Sequence, residues 1–321
     1  MLTTRLRGLL AAFSLIGAVD ASSQTDIPRP LRIVVAAMPG SPADEHIRSL
    51  LPGLTAALGR SILVDNRGFE DGIRAAQAVA QSEPNGNTLL LGTSTTHAAS
   101  PALHPKLAYD PVRDFVAVTQ LSATGLVIVG GSHVPGNSIE ALVRHANDGN
   151  RGATFSSETR IERVAGEALG RHLKISLRTV SHATPIESMQ ALRGGKVDLA
   201  LLTPYIARPH VHTGRLKAFG ITGDERSAAL PEVATLIEQG IDGYDIPSWD
   251  GVFTPAGTGT KHVEATYLAI RQALDSTSVR NHFRELGVTP VGSTPATFAA
   301  VVKRDVAVFK RFTSTAATSA R

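Results

Sequence analysis

The chain has 321 residues, of which 42% are hydrophobic and 19% charged, with a formal charge of +4. That length exceeds what one hydrophobic core ordinarily organises, so two lobes are expected, and the apolar content excludes a disordered chain. Aromatic residues are only 5%, too few for the stacking surfaces of a nucleic-acid binder, and no cysteine is present to form a disulfide or a thiolate metal site.

At the N-terminus, Arg5 and Arg7 precede an apolar run from Gly8 to Val19, with Val19-Asp20-Ala21 at the cleavage positions. This is the charged–apolar–small layout of a secretory signal peptide, so residues 1–21 are read as one and the chain as exported. The run is too short to span a bilayer comfortably. Pro28 and Pro30 follow at once and break any continuing helix.

Leu31 to Ala36 then reads as a buried strand, followed by a Pro39-Gly40-Ser41-Pro42 turn. A helical pattern places Ile47, Leu50, Leu51, Leu54 and Leu58 on one face, and Pro52 is positioned to kink or interrupt it. Strand-like Ile62 to Asp65, a helix around Arg74 to Gln81, a strand at Thr88 to Gly92 and a β-rich stretch from Phe115 to Gly130 follow. The second region repeats the alternation. Helices are expected at Ser138 to Ala146, Arg163 to His172 and Ile186 to Leu192. Strands are expected at Ala153 to Ser156, Leu177 to Val180, Val197 to Leu202 and Leu216 to Thr222. After Pro255 come helices at Val263 to Leu274, Val279 to Leu286 and Pro295 to Phe309. This order is the signature of parallel sheets covered by helices, an α/β fold. No long linker separates the halves, which points to short hinge crossings.

No nucleophile elbow, Walker A loop or G-x-G-x-x-G after a strand is present. His210-Val211-His212 reads as a loop pair of surface histidines, because one H-x-H without further ligands is a weak metal signal. His97 and His104 flank a Pro101 turn, where local hydrogen bonding accounts for them. Catalytic triads are spatial, so the absence of a motif leaves a hydrolase open.

Several segments share an order that is specific as a set. Pro30-Leu31-Arg32-Ile33-Val34-Val35 is followed by Pro39-Gly40-Ser41-Pro42-Ala43-Asp44, then by Leu58-Gly59-Arg60 and Val64-Asp65-Asn66-Arg67. Pro84 to Gly92, Tyr109-Asp110-Pro111, Gly214 to Thr222, Leu230-Pro231 and Trp249-Asp250-Gly251 to Pro255 complete the series. The set resembles the periplasmic solute receptors of tripartite tricarboxylate transporters, the Bug family. The resemblance implies a type II periplasmic-binding-protein fold, two α/β lobes with a ligand cleft between them. Lobe 1 would comprise residues 27–128 with 246–321, and lobe 2 residues 129–245. It further implies a monomeric periplasmic receptor, without enzymatic activity or cofactor. Such a receptor captures a small carboxylate, an organic acid or an amino acid, for the membrane permease subunits of a tripartite transporter.

Ligands of open α/β sheets sit beyond the carboxyl ends of the strands. The turn of Met38, Pro39, Gly40 and Ser41 lies there, and a helix start favours an anion by roughly 0.3–1 kcal/mol. Asp44 is read as an N-cap or first-turn residue. The hydroxyls of Thr93, Ser94 and Thr95 follow another strand and could orient a carboxylate or simply cap the next segment. Trp249, the sole tryptophan, is read as core or hinge packing, with cleft lining second. The second-lobe candidates are Ser156, Ser157, Arg160, Ser181, His182 and Pro204. Here the chain departs from the family: Ser41 replaces a glycine, Ala37 an aromatic, and the loops at Ser156 to Val164 and Ser181 to Thr184 are shortened. Arg160 or Arg163 is a candidate charged donor in place of lost glycine amides, with solvation or pairing to Glu158 and Glu162 as the alternative. Three further readings stay open: a ligand sensor for a membrane signalling partner, a periplasmic hydrolase, and a paralogue that binds nothing small.

Overall fold

The computed structural model describes residues 29–244 and 246–318. The signal-peptide reading of residues 1–21 lies outside the described residues.

The chain begins with β1 (Leu31–Val35), α1 (Pro42–Leu58), β2 (Ile62–Asn66), α2 (Ile73–Ala80), β3 (Thr88–Thr93), the short α3 (Ser100–Leu103) and β4 (Phe115–Ala123). It crosses into β5 (Val127–Gly131), α4 (Ile139–Asn147), β6 (Ala153–Ser157), α5 (Arg160–Leu173), β7 (Leu177–Ser181), α6 (Pro185–Arg193), β8 (Leu199–Leu202), α7 (Pro204–His212) and β9 (Leu216–Ile221). It returns through β10 (Trp249–Pro255), α8 (Thr260–Leu274), α9 (Thr277–Glu285), β11 (Thr289–Pro290) and α10 (Pro295–Thr318). Two sheets result, in the orders β11-β4-β10-β3-β1-β2 and β7-β6-β8-β5-β9. The returning β10 inserts between β3 and β4, antiparallel to both, so the first lobe is completed only after the second has been made.

Strand alternation divides the core. Leu31, Ile33, Val35, Leu89 and Leu91 pack with Ile47, Leu50 and Leu54 of α1 and with Ile270 and Phe283 of α8 and α9. The opposite face carries Val34 and Leu90 into a cluster with Phe253, Phe298 and Phe309, which continues into Phe155, Leu169 and Tyr244 of the second lobe. Helix α10 is therefore a wall common to both lobes. Arg171 Nη2 on α5 donates to Phe312 O across it at 3.3 Å.

Local signals explain the helix bounds. Ser41 caps α1, Pro42 occupies its first turn, and Gly59 ends it at φ 62°. Pro52 does not interrupt α1, contrary to expectation. It lies on the exposed side, where water can solvate the Arg48 carbonyl it leaves unpaired. His210 and His212 lie on the last turns of α7 rather than in a loop, and Pro101 lies within α3 rather than in a turn.

The two crossings between lobes are fastened to each other. Leu126 N–H donates to Thr222 Oγ1 and Thr222 N–H donates to Leu126 O, both at 2.9 Å. A Cβ on Gly125 would meet Thr222 O at 2.0 Å, so only glycine permits this approach. Trp249, the first residue of the returning strand, is buried and donates from Nε1 to Asp305 Oδ2 at 2.8 Å. Asp305 is fully buried on α10 and accepts at Oδ1 from Arg304 Nε at 2.7 Å. Replacing Asp305 by Ala leaves the indole N–H buried without an acceptor, which costs about 1–3 kcal/mol. The urea midpoint of D305A is expected to fall accordingly, with D305N, which keeps a carbonyl acceptor, recovering most of the loss. Equal midpoints for D305A and the parent would contradict this account of the hinge.

Candidate functional site

The loops that follow the parallel strands converge on the gap between lobes. In the first, Met38 is 46% exposed and Gly40 adopts φ 74°. The Gly40 amide donates to Asp44 Oδ2 at 2.8 Å. Asp44 is buried in the first turn of α1 and also accepts from Arg48 Nε at 2.8 Å and Asn66 Nδ2 at 2.9 Å. Burial alone would raise the Asp44 pKa, but these donors outweigh it and hold the carboxyl below its ordinary value. Asp44 is thus a first-turn residue, and Ser41 is the N-cap. The Gly40 amide, a candidate anion donor, is engaged by the chain's own acid.

The second loop stands at the end of β3. Thr93 N–H donates to Thr96 Oγ1 at 3.0 Å, and Thr96 N–H donates back to Thr93 Oγ1 at 3.4 Å. Thr93, Ser94 and Thr95 are half-buried, and a π-helical turn runs from Thr95 to Ala99. Beneath them His97 is fully buried and stacks on Phe253 with centroids 3.9 Å apart. Its Nδ1 lies 2.8 Å from Thr96 Oγ1. Burial pushes its pKa down to about 3, which keeps the ring neutral.

In the second lobe, Ser156 Oγ is buried within 2.9 Å of His182 Nδ1 and 2.7 Å of Ser188 Oγ. His182 N–H donates to Ser157 O at 2.9 Å. Helix α5 opens with a capping box: Thr159 Oγ1 accepts from Glu162 N–H, while Glu162 Oε2 accepts from the amides of Glu158 and Thr159 at 2.6 and 3.2 Å. Burial raises the Glu162 pKa, and the negative charges of Glu158 and, across the gap, Asp71 add to the rise. Arg163 Nη2 donates to Ser181 Oγ at 2.6 Å. Arg160 is exposed and reaches the other lobe, donating from Nη1 to Leu103 O at 3.0 Å. Buried Pro204 begins α7 and packs near Gly287 of the first lobe, where a Cβ would sit 3.1 Å from Pro204 Cβ.

At the hinge end of the gap lies a cavity of about 200 Å³. Ser41, His46 and Asp250 line it from the first lobe, Thr124 and Ser248 from the crossings, and Thr203 and Tyr205 from the second lobe. His46 Nδ1 lies 2.6 Å from Asp250 Oδ2, which also accepts from Ser122 Oγ at 3.2 Å. The imidazole stacks on Phe283 at 4.8 Å, and its buried Nε2 has no hydrogen-bond partner.

The profile of the tripartite tricarboxylate transporter family receptor matches residues 47–315. This chain belongs to that receptor family. Protein BugT of Bordetella pertussis is 27% identical over 297 residues, covering 91% of each chain. MatC from Rhodopseudomonas palustris, solved with bound malate, is 28% identical with a TM-score of 0.74, over 88% of this chain and 98% of that one. A second R. palustris protein, solved with adipate, shares the fold at a TM-score of 0.78 and 24% identity, over 90% of this chain and 97% of that one. The receptor family comprises periplasmic solute-binding proteins and is not an enzyme family, and the chain has its two-lobed α/β fold.

Of the residues singled out from sequence in this receptor, Ala37, Ser41 and Trp249 line the hinge-end cavity, and Pro204 lies between its lining residues Thr203 and Tyr205. Thr93 neighbours it through the β3–β10 register, opposite Asp250. The second-lobe set forms two separate contacts, Ser156 with His182 and Ser181 with Arg163, outside that lining. Sequence reasoning missed His46, Ser122, Tyr205 and Asp250 as lining residues. Only His46 carried a local signal: it falls on the apolar stripe of α1, four residues before Leu50.

The neutral His97 makes stability depend on pH. Its unfolded counterpart takes up a proton near about pH 6.5, whereas the folded ring resists protonation down to about 3. Between those values the unfolded state binds the extra proton, so stability falls as pH falls. His97→Phe keeps a ring against Phe253 and is expected to flatten the melting temperature between about pH 6.5 and 4.5. An unchanged slope in the variant would show that other groups produce it.

Proposed function

We propose that this chain is a periplasmic receptor that captures a small carboxylate between its lobes and delivers it, as a monomer, to the membrane permease subunits of a tripartite tricarboxylate-type transporter. The observation that carries the reading is the hinge-end cavity, whose walls come from both lobes and both crossings. Rotation about those crossings necessarily changes its shape, which is the requirement for capture by closure. The malate-bound relative at 28% identity supports a carboxylate as the ligand class. Export would rest on residues 1–21. The lobes are proposed as residues 27–128 with 246–321, and residues 129–245, a division that falls within β5 (Val127–Gly131), whose partners β8 and β9 belong to the second sheet.

The proposed ligand contacts are Met38, Pro39, Gly40, Ser41, Thr93, Ser94, Thr95, Ser156, Ser157, Arg160, Ser181, His182 and Pro204. Arg160 is assigned the charged role. Its bond to Leu103 O places the guanidinium at the mouth of the gap, and its planar fork has further N–H donors for a carboxylate.

A panel of small mono- and dicarboxylates should raise the melting temperature, and the ligand that does so should also reduce the radius of gyration in solution scattering. A charge-assisted hydrogen bond is worth about 1.5–3 kcal/mol, so Arg160→Ala is expected to weaken that ligand by about 10- to 100-fold in calorimetry. No thermal shift across the panel would overturn the receptor reading. Unchanged affinity in R160A would remove Arg160 from the site.

A further inference from the structure

We propose that the hinge-end cavity is a subsite for a positively charged group of the ligand, with Asp250 as its acceptor, so that the ligand class is a zwitterionic amino acid rather than a plain organic acid. This rests on the receptor reading above and names the substrate of the same cleft.

The argument begins with what lines the cavity. No Lys or Arg does so among the described residues, and the only carboxylate is that of Asp250. That side chain is 13% exposed and His46 is 3% exposed, so neither is a solvated surface charge. Both contacts to the Asp250 carboxylate, from His46 Nδ1 and Ser122 Oγ, fall on Oδ2. Among the described residues nothing donates to Oδ1, which keeps its full acceptor capacity. A ligand carboxylate placed here would meet a like charge with no Lys or Arg in the lining to offset it, and the imidazole of His46 is already taken up on Asp250 Oδ2. An ammonium group would meet an acceptor that is already oriented on its other oxygen. The aromatic walls, Trp249 and Tyr205, add surfaces that attract a cation and not an anion.

The donors lie elsewhere in the gap. Arg160 and Arg163 stand at the start of α5, with the Ser156–His182 pair on the neighbouring strand. The gap therefore has an acceptor without Lys or Arg at the hinge, whereas at the second-lobe end Arg160 and Arg163 stand beside Glu158 and Glu162 and offer the charged donors that the hinge lacks. A molecule carrying an ammonium and a carboxylate satisfies both ends, whereas a dicarboxylate satisfies one and opposes the other. The cavity volume of about 200 Å³ accommodates the ammonium end of such a molecule, with its carboxylate directed out of the cavity toward the second lobe.

The test uses matched pairs that differ by the amino group: L-aspartate and succinate, L-glutamate and glutarate, L-alanine and propionate. Calorimetry on the full mature chain should find the amino member of at least one pair binding about tenfold or more tightly than its partner. In Asp250→Asn that preference should largely disappear, through weaker binding of the amino member with little change for the deaminated one. If D250N does not fold, the parent comparison decides alone. A deaminated member that binds as tightly as its amino counterpart in every pair that binds overturns the subsite and leaves the receptor reading intact. Silence from every member of every pair, and from the wider carboxylate panel, overturns both.

Discussion

The molecule depends on one tight backbone encounter, the approach of Gly125 to Thr222 where the chain passes between lobes. Two reciprocal hydrogen bonds between Leu126 and Thr222 lock the outgoing crossing to the segment leaving β9. A third bond, Thr124 N–H to Ser248 O at 3.0 Å, ties the outgoing crossing to the returning one. Since β10 must then slot between β3 and β4, neither the first sheet nor the cleft exists until the chain has returned. The buried Trp249–Asp305 bond sits at that return point and couples the crossing to α10. Helix α10 in turn packs against α5, so the arrangement of the second lobe is read by the helix that completes the first.

A second regularity concerns helix starts around the gap. Asp44 takes the Gly40 amide, Glu162 takes those of Glu158 and Thr159, and Glu187 takes that of Ala183 at 3.0 Å. Helix N-termini are ready-made anion sites, yet here three of them are filled by acids from the same chain. The charged side chains around the gap are distributed unevenly, with Asp250 and His46 at the hinge and Arg160 and Arg163, beside Glu158 and Glu162, at the start of α5.

Much of the fold was legible because packing and pattern agree. The strand expected at Leu216 to Thr222 is β9, Leu216–Ile221, where Leu216, Phe219 and Ile221 are buried. Helix α5 starts three residues before its apolar pattern suggests, because Thr159 and Glu162 form a capping box that the spacing itself contained. The two-residue β11 carries no period and could not be read. Helix α10 extends beyond Phe309 to Thr318, past the point where its apolar stripe ends. The site was less legible. Ser41 follows a strand end, where ligands of open α/β sheets sit, so topology led to it. Asp250, Ser122 and His46 come from three elements separated by many residues and meet only through the sheet order β4-β10-β3 and the seat of α1 on it. No linear motif encodes that meeting.

Two contacts of opposite sense cross the gap between the lobes. Arg160 to Leu103 O ties the lobes by one partly buried hydrogen bond, a contribution on the order of 1 kcal/mol. The negative charge of Asp71 acts on Glu162 in the opposite sense. Closure of the lobes on a ligand would be an equilibrium between two arrangements. A ligand shifts such an equilibrium only by its differential affinity for the two arrangements. The cavity supplies that difference, since Thr203 and Tyr205 on one side and Asp250 on the other surround a ligand together only when the lobes meet. On the proposed reading, a molecule that leaves the Asp250 carboxylate unmatched gains least from closure.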